Sequence, residues 1–484
     1  MKIVAPILLV CSLLFLAGCP REIHAPAKPA ITELEWNGIH VIAQMVEISR
    51  KDGESIWPGY RLHDRSFIVF QPGQRSFLVN AQGVPTNLQR ISVEGIDVPV
   101  YVIPKGELSL SGGLPYVKDF EFAGNRSLVA RYTPGTTPER FYRLVVHETF
   151  HVYQQERFER GSPTPACRYP YEDFENAYLA RVEEVLLKRM LTRGVKNTTR
   201  KDLALYLAVR NHRYGLEEGS RAWSIEGWEE TVEGTARYIE MRYAVAAGYV
   251  ELEKELRQFV GYLSRFQPAS LQKWKYYRTG AALGTILDVL GFPEWKSQCE
   301  KNNCLYPYAA SQLAEDVGKL PQGVMEKTFV ELASERHATE QSLTHYLTRE
   351  NKLLEQWTQQ GTVRVTVRFP EKGHAYYSSR GTTFATDDCA RFVSGIQAFV
   401  DKKFGFEVQR RSVLFKNEES GYWIQFHHDL KNGSASIDNG RLAKIPGEYS
   451  FESEIRVQFV GFQLQFKGKG TLTVTKDSLE IRLK

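Results

Sequence analysis

The spacing of apolar positions changes twice along the chain and divides it into three stretches. From residue 31 to 133, short apolar runs predict strands: "HVIAQMVEI" (40–48), "RSFIVF" (65–70), "RSFLVN" (75–80) and "DVPVYVI" (97–103), punctuated by the turn signals "PGQ" and "SGG". From 136 to 358 the apolar residues recur with helical spacing, in "YLARVEEVLLKRML", "KDLALYLAVRNHRY", "WEETVEGTARYIEMRYAV", "YVELEKELRQFVGYLSRF" and "GAALGTILDVLG". A long polar helix through "VELASERHATEQSLTHYLTRENKLLEQW" (330–357) then leads out of this region. From 361 to 484 alternation returns in "TVRVTVRF", "YWIQFHH", "IRVQF" and "FQLQFKGKGTLTV", with one helix expected over "CARFVSGIQAFVDKKF" (389–404). The expected class is α+β and multidomain: a β-rich N-terminal subdomain (31–133), a mainly helical domain (136–358) and a β-rich C-terminal domain (361–484).

The helical domain opens with "TTPERFYRLVVHETFHVYQQERFERG" (136–161). Thr137 is a natural N-cap, Pro138 suits the first helical position and Gly161 is a stop. His147, Glu148 and His151 therefore fall in mid-helix as H-E-x-x-H. Residues four apart share a face, so both imidazoles can reach one ion, and Glu148 is offset toward the water such an ion would hold. Zinc brings that water's pKa near neutrality and a neighbouring carboxylate can take its proton, which is the chemistry of metal-assisted hydrolysis. The competing reading is an ordinary helix with two satisfied, partly buried histidines.

A hydrolytic zinc site needs a third protein ligand and an open position. After His151 the chain reads "VYQQERFERG", with no third histidine at the metzincin spacing. Glutamates are the better candidates: Glu226, Glu229, Glu230, Glu233 and Glu240 crowd one predicted helix, most of them expected on a solvated face. Gly234 would let that helix press close against the H-E-x-x-H helix. Glu233 and Glu229 compete as ligand, and Glu229 or Glu230 could instead support a ligating histidine from behind. Gln154 either lines the site or packs, and Trp223 and Trp228 are expected in the core.

Three segments in order carry a resemblance. With H-E-x-x-H, "VEGTARYIE" resembles the Asn-Glu-Gly-Phe-Ala segment of the aminopeptidase N family, and "YYRTGAALGTILDVLG" resembles its Tyr-x-Lys-Gly-Ala segment. The resemblance implies a gluzincin-type (peptidase MA-like) zinc peptidase over residues 136–295, with one catalytic Zn2+ on His147, His151 and Glu233. It implies Glu148 as general base and the Tyr277 hydroxyl as the donor that steadies the oxyanion, Tyr276 being the alternative. Residues 152–232 form a far longer gap between second histidine and glutamate than the family has, which implies inserted helices. The Gly-x-Met-Glu-Asn segment that grips a free amino terminus is missing; the upstream region reads "YVKDFEFAGNRSLVARY", so the reading leans to an endopeptidase. "SLVARY" is a candidate edge for an extended peptide.

Composition narrows the partners. With 62 basic against 57 acidic residues and a net charge of +5, the chain shows no nucleic-acid footprint. Lys2 followed by "IVAPILLVCSLLFLAGC" (3–19) reads as an export signal. Leu16, Ala17, Gly18 and Cys19 resemble the lipobox of bacterial lipoproteins, which implies a lipidated Cys19, a membrane anchor and a short Pro/Ala-rich linker over 20–30. Pro20, where an inner-membrane retention signal would have Asp, leans toward the outer membrane, facing the periplasm or the cell surface. In an exported protein Cys167, Cys299, Cys304 and Cys389 become disulfide candidates, and Cys299 with Cys304 is the simplest local pair. The expected partners are a peptide or protein substrate and the membrane. The alternative is a retired peptidase whose C-terminal domain acts as a binding module in the envelope.

Overall fold

The computed structural model describes residues 31–108, 116–159, 169–271, 274–292, 294–301 and 305–359, and beyond these the strands between 362 and 483. It begins with a helix where a strand was expected. Helix α1 (Glu33–Ile56) takes in the whole of 40–48. Thr32 caps it reciprocally: Glu35 N–H donates to Thr32 Oγ1 (3.2 Å) and Thr32 N–H donates to Glu35 Oε2 (2.8 Å). Ile39, Ile42, Met45, Val46, Gly53 and Ile56 form its buried face. The nine-residue window at 40–48 begins beyond the cap and is too short to separate a helical from a strand period.

The six-stranded sheet that follows runs in the order β3–β4–β2–β1–β6–β5, built from β1 (Ser66–Phe70), β2 (Ser76–Val79), β3 (Gln89–Ile91), β4 (Val100–Ile103), β5 (Tyr116–Phe122) and β6 (Asn125–Arg131). All of its pairings are antiparallel except β1 with β6. Both faces of β1 and β2 are covered, which is why each is an unbroken apolar run after its first residue, Ser66 or Ser76. Phe67, Val69, Phe77 and Val79 join the main core, while Ile68, Phe70 and Leu78 belong to a smaller cluster on the other side. The segment 127–132 is not an edge: β6 is paired on both sides, to β1 and to β5, and β5 holds the outer position.

Helix α2 (Pro138–Arg157) carries the H-E-x-x-H segment, with Thr137 Oγ1 accepting from Arg140 N–H (3.2 Å) and Pro138 in the first turn. It ends before Gly161, which lies outside the described residues, because Phe158 turns extended and stacks on Trp57 (6.1 Å between ring centres). Next come α3 (Phe174–Thr192), α4 (Arg200–Tyr214) and α5 (Glu217–Glu229), which passes through a π-turn (Glu230–Gly234) into α6 (Thr235–Ala246). Helices α7 (Leu252–Tyr262) and α8 (Trp274–Val289) follow, then four short helices, α9 (Trp295–Glu300) to α12 (Val324–Glu331), and the long α13 (Ala333–Gln359). A single buried cluster runs from Ile39 through the sheet, α2, α6 and α8 to Leu332, so sheet and helices are packed on a shared core.

From β7 (Thr362–Arg368) to β21 (Ser478–Leu483) the described residues are strands in an eight-stranded and a seven-stranded sheet, and β21 returns to pair in parallel with β7. The helix expected at 389–404 is absent among them: Arg391–Val393, Gly395–Val400 and Phe404–Val408 are strands, with Ile396 opposite Val408 and Ala398 opposite Phe406. Gly395 is a poor helix-interior residue, and Val393, Ile396, Phe399 and Val400 are strand formers. The molecule is thus mixed helix and strand. No described helix is long and apolar enough to cross a membrane.

Candidate metal centre

His147 and His151, one turn apart on α2, point the same way, with Nε2 to Nε2 3.1 Å. Glu233, from the π-turn, brings Oε2 to 3.4 Å from His147 Nε2 and 3.3 Å from His151 Nε2. These three are, among the described residues, a group able to hold a metal ion.

Each imidazole is oriented from behind. His151 Nδ1 faces Gln154 Oε1 at 2.7 Å, and the Gln154 amide donates to Val232 O (2.8 Å) and Thr235 Oγ1 (2.8 Å). Gln154 therefore fixes the ring of His151 and ties α2 to the chain on both sides of Glu233. His147 Nδ1 faces Glu240 Oε2 at 3.3 Å. Glu240 is itself paired with Arg237, and Arg143 lies 3.6 Å away. Burial would raise the Glu240 carboxyl, but Arg237 and His147 outweigh it and hold it below the usual range. With an acceptor oxygen facing Nδ1 of each ring, the two Nε2 atoms are left to converge on one point. Burial opposes a charge on His147, yet Glu233 on one ring nitrogen and Glu240 on the other push its pKa up to about 9 in the absence of a metal.

Glu148 is nearly buried, and its charge acts on both His147 and Tyr277. Tyr277, on α8, stacks on His147 (5.8 Å between ring centres, 4° between planes) and hydrogen-bonds Glu233. Burial and the charges of Glu233 and Glu229 push its phenol far above its ordinary value, so it remains a donor. Tyr276 is fully buried and donates to Leu271 O at 2.5 Å, away from this group. Trp274 is 60% exposed and stacks on Tyr277.

The acidic run of α5 and α6 is not a solvated face. Glu226 and Glu230 are buried at 0% and 1% exposure against two arginines, Arg213 and Arg210, that are themselves fully buried. Glu230 therefore faces Arg210 and not the histidines. Glu229 is half-buried, and its charge reaches Tyr277. The carboxylate behind His147 is Glu240, not Glu229 or Glu230. Gly234 abuts Gly280 of α8 rather than α2. Trp228 is 41% exposed, against expectation, whereas Trp223 packs on Tyr214 and Tyr306.

Reading the sequence missed the roles of Glu240, Arg210, Arg213 and Glu183. Two arginines three apart within the aromatic and apolar "LYLAVRNHRY" were the available signal for a buried ion network. Cys299 is buried; Cys304, Cys167, Cys389 and the anchor segment with Cys19 lie outside the described residues. Neither a scan of family models nor searches of curated proteins and solved structures finds a match for the chain.

Proposed function

We propose that the protein is a zinc-dependent metallopeptidase held to the bacterial envelope through Cys19, with the helical stretch 136–358 as its catalytic domain, the N-terminal helix and sheet packed on the same core, and the β-rich stretch 361–484 as a separate module. The observation that carries this reading is the spacing of the donors. Atoms held ~2.0–2.1 Å from one tetrahedral zinc stand ~3.3 Å from one another. The three pairs here measure 3.1, 3.3 and 3.4 Å. Two imidazole nitrogens and one carboxylate oxygen would hold a zinc ion with one position left for water or substrate, as catalysis requires.

A bound zinc supplies the Lewis acidity that polarises a scissile carbonyl and makes water nucleophilic near neutral pH. The remaining work falls to the chain. Glu148, next to His147 on α2, takes the proton from the attacking water and delivers it to the departing amine. Tyr277, kept protonated, donates to the carbonyl oxygen as negative charge develops there. Glu240 and Gln154 hold the two imidazoles in their ligating tautomers.

The test is zinc content by elemental analysis of the soluble protein from residue 20 onward, followed by cleavage of an unfolded protein substrate. One zinc per chain, with cleavage abolished by Glu148→Gln, is the expected result. A chain that takes up no zinc when supplied with it is not a zinc peptidase; one that holds zinc and cleaves nothing is a retired relative.

A further inference from the structure

The side of the π-turn facing away from the metal ligands is held by an ion network that the chemistry above does not use. Arg210 is fully buried. It donates to both carboxylate oxygens of Glu230, from Nη1 to Oε2 (2.9 Å) and from Nη2 to Oε1 (2.8 Å), and from Nε to Glu183 Oε2 (3.0 Å). Glu230 also accepts from Thr279 Oγ1 at 2.8 Å. Glu230 is the first residue of the π-turn and lies three before Glu233; Thr279 lies two after Tyr277. One carboxylate thus joins α4, the turn that presents the metal ligand and the helix that presents the phenol.

The backbones meet at the same place. A Cβ on Gly280 would come within 2.7 Å of Gly234 Cα and 2.9 Å of Glu230 O. Side chain and main chain of Glu230 therefore both lock the π-turn against α8. A π-turn carries one residue more per turn than an α-helix, and such turns occur mostly where function requires an unusual presentation. The extra residue lets Glu230 face Arg210 while Glu233, less than one α-turn later, faces the histidines. A two-pronged guanidinium contact fixes direction as well as distance. Buried ion pairs are weak stabilisers compared with apolar packing, so an arginine that meets three conditions, no exposure, two carboxylates and a seat behind the ligand turn, points to placement.

We propose that Arg210, Glu230 and Thr279 are positioning residues of the metal centre: the bridge they form sets Glu233 relative to the histidines and to Tyr277, and thereby sets metal affinity and coordination geometry from behind. This rests on His147, His151 and Glu233 binding a metal.

The experiment measures zinc affinity by competition with a chromophoric chelator, and the visible spectrum of the cobalt-substituted protein, alongside thermal unfolding. Wild type is compared with Glu230→Gln, which keeps shape and loses charge, with Thr279→Val, which keeps every charge and loses one hydrogen bond, and with Thr279→Ser. Glu230→Gln is expected to weaken zinc binding about tenfold or more, the range seen when support behind a ligand is removed, and to alter the cobalt spectrum. Thr279→Val is expected to do so less, and Thr279→Ser to restore wild-type values. If the first two variants unfold at lower temperature yet bind zinc as tightly, with an unchanged cobalt spectrum, the network is structural only and the proposal is overturned. Should Glu230→Gln fail to fold, Thr279→Val decides alone. If wild type itself takes up neither metal, the metal-centre reading is what has failed, and this proposal with it.

Discussion

His147 sits between two carboxylates, Glu233 at its Nε2 and Glu240 at its Nδ1, and that sandwich gives the metal-free protein a pH signature. Its folded pKa of about 9 lies above the ordinary value of 6.5. A raised pKa contributes stability that is fully present below the unfolded value and is lost as pH rises through the folded one. The melting temperature of the metal-free protein should therefore fall between about pH 6.5 and pH 9 relative to the zinc-loaded protein, whose ligating imidazole is neutral. By the same linkage, zinc binding near neutral pH should release a proton, detectable by calorimetry in buffers of different ionisation enthalpy. Tyr277→Phe should lower kcat by about 10²–10³ with zinc content retained, the usual effect of removing one oxyanion donor; an equal rise in KM would assign the phenol to substrate binding instead. Glu233→Ala should empty the site and Glu229→Ala should leave it filled, as read by elemental analysis. At this scale His147, Glu148 and His151 were legible because one helical turn fixes their relation. Glu240 and Gln154 were not, since their partners depend on how the α5–α6 rod lies against α2.

At the scale of elements, the α5–π-turn–α6 rod decides the site. In a plain α-helix Glu226, Glu230 and Glu233 share one face; here Glu226 and Glu230 go to the buried arginines and Glu233 to the histidines. Gly280→Ala should be destabilising by about 1–3 kcal/mol in urea unfolding, because the added methyl meets main-chain atoms that cannot swing aside. Gly261→Ala, in α7 with nothing near its Cβ, should be neutral or stabilising by up to about 1 kcal/mol. An equal loss in both would mean that the α6–α8 crossing is not tight. The elements misread from sequence, 40–48 and 389–404, are short apolar runs rich in Val, Ile and Phe whose local preference suits either state. Thr32 and Glu35 settle the first as helix, and strand partners such as Val408 opposite Ile396 settle the second as sheet.

For the whole molecule, a metal that binds only the folded state adds stability by mass action, about 4 kcal/mol at a thousandfold excess over the dissociation constant. Chelation should therefore lower the melting temperature of the helical part, and added zinc should restore it; a melting curve indifferent to chelator would mean that the site holds no metal. The shared core from Ile39 to Leu332 makes α2, α6 and α8 one packed body, so the three ligands come together only when that body is formed. By itself the sequence determined the capped helix α2 with its two histidines and adjacent glutamate, the helical middle and the strand-rich remainder, because caps, i,i+4 spacing and alternation are set by nearest neighbours along the chain. The segment resemblance singled out Glu233 over Glu229 and Tyr277 over Tyr276, but that these two meet the histidines, and that a buried arginine stands behind the ligand turn, was decided by tertiary packing. Glu233 lies far along the chain from His151. Contacts between segments so far apart depend on how helices lie against one another, and the turn that carries Glu233 is held on its α8 side by the contact of Gly234 with Gly280 and by the bridge through Glu230, which no local pattern encodes.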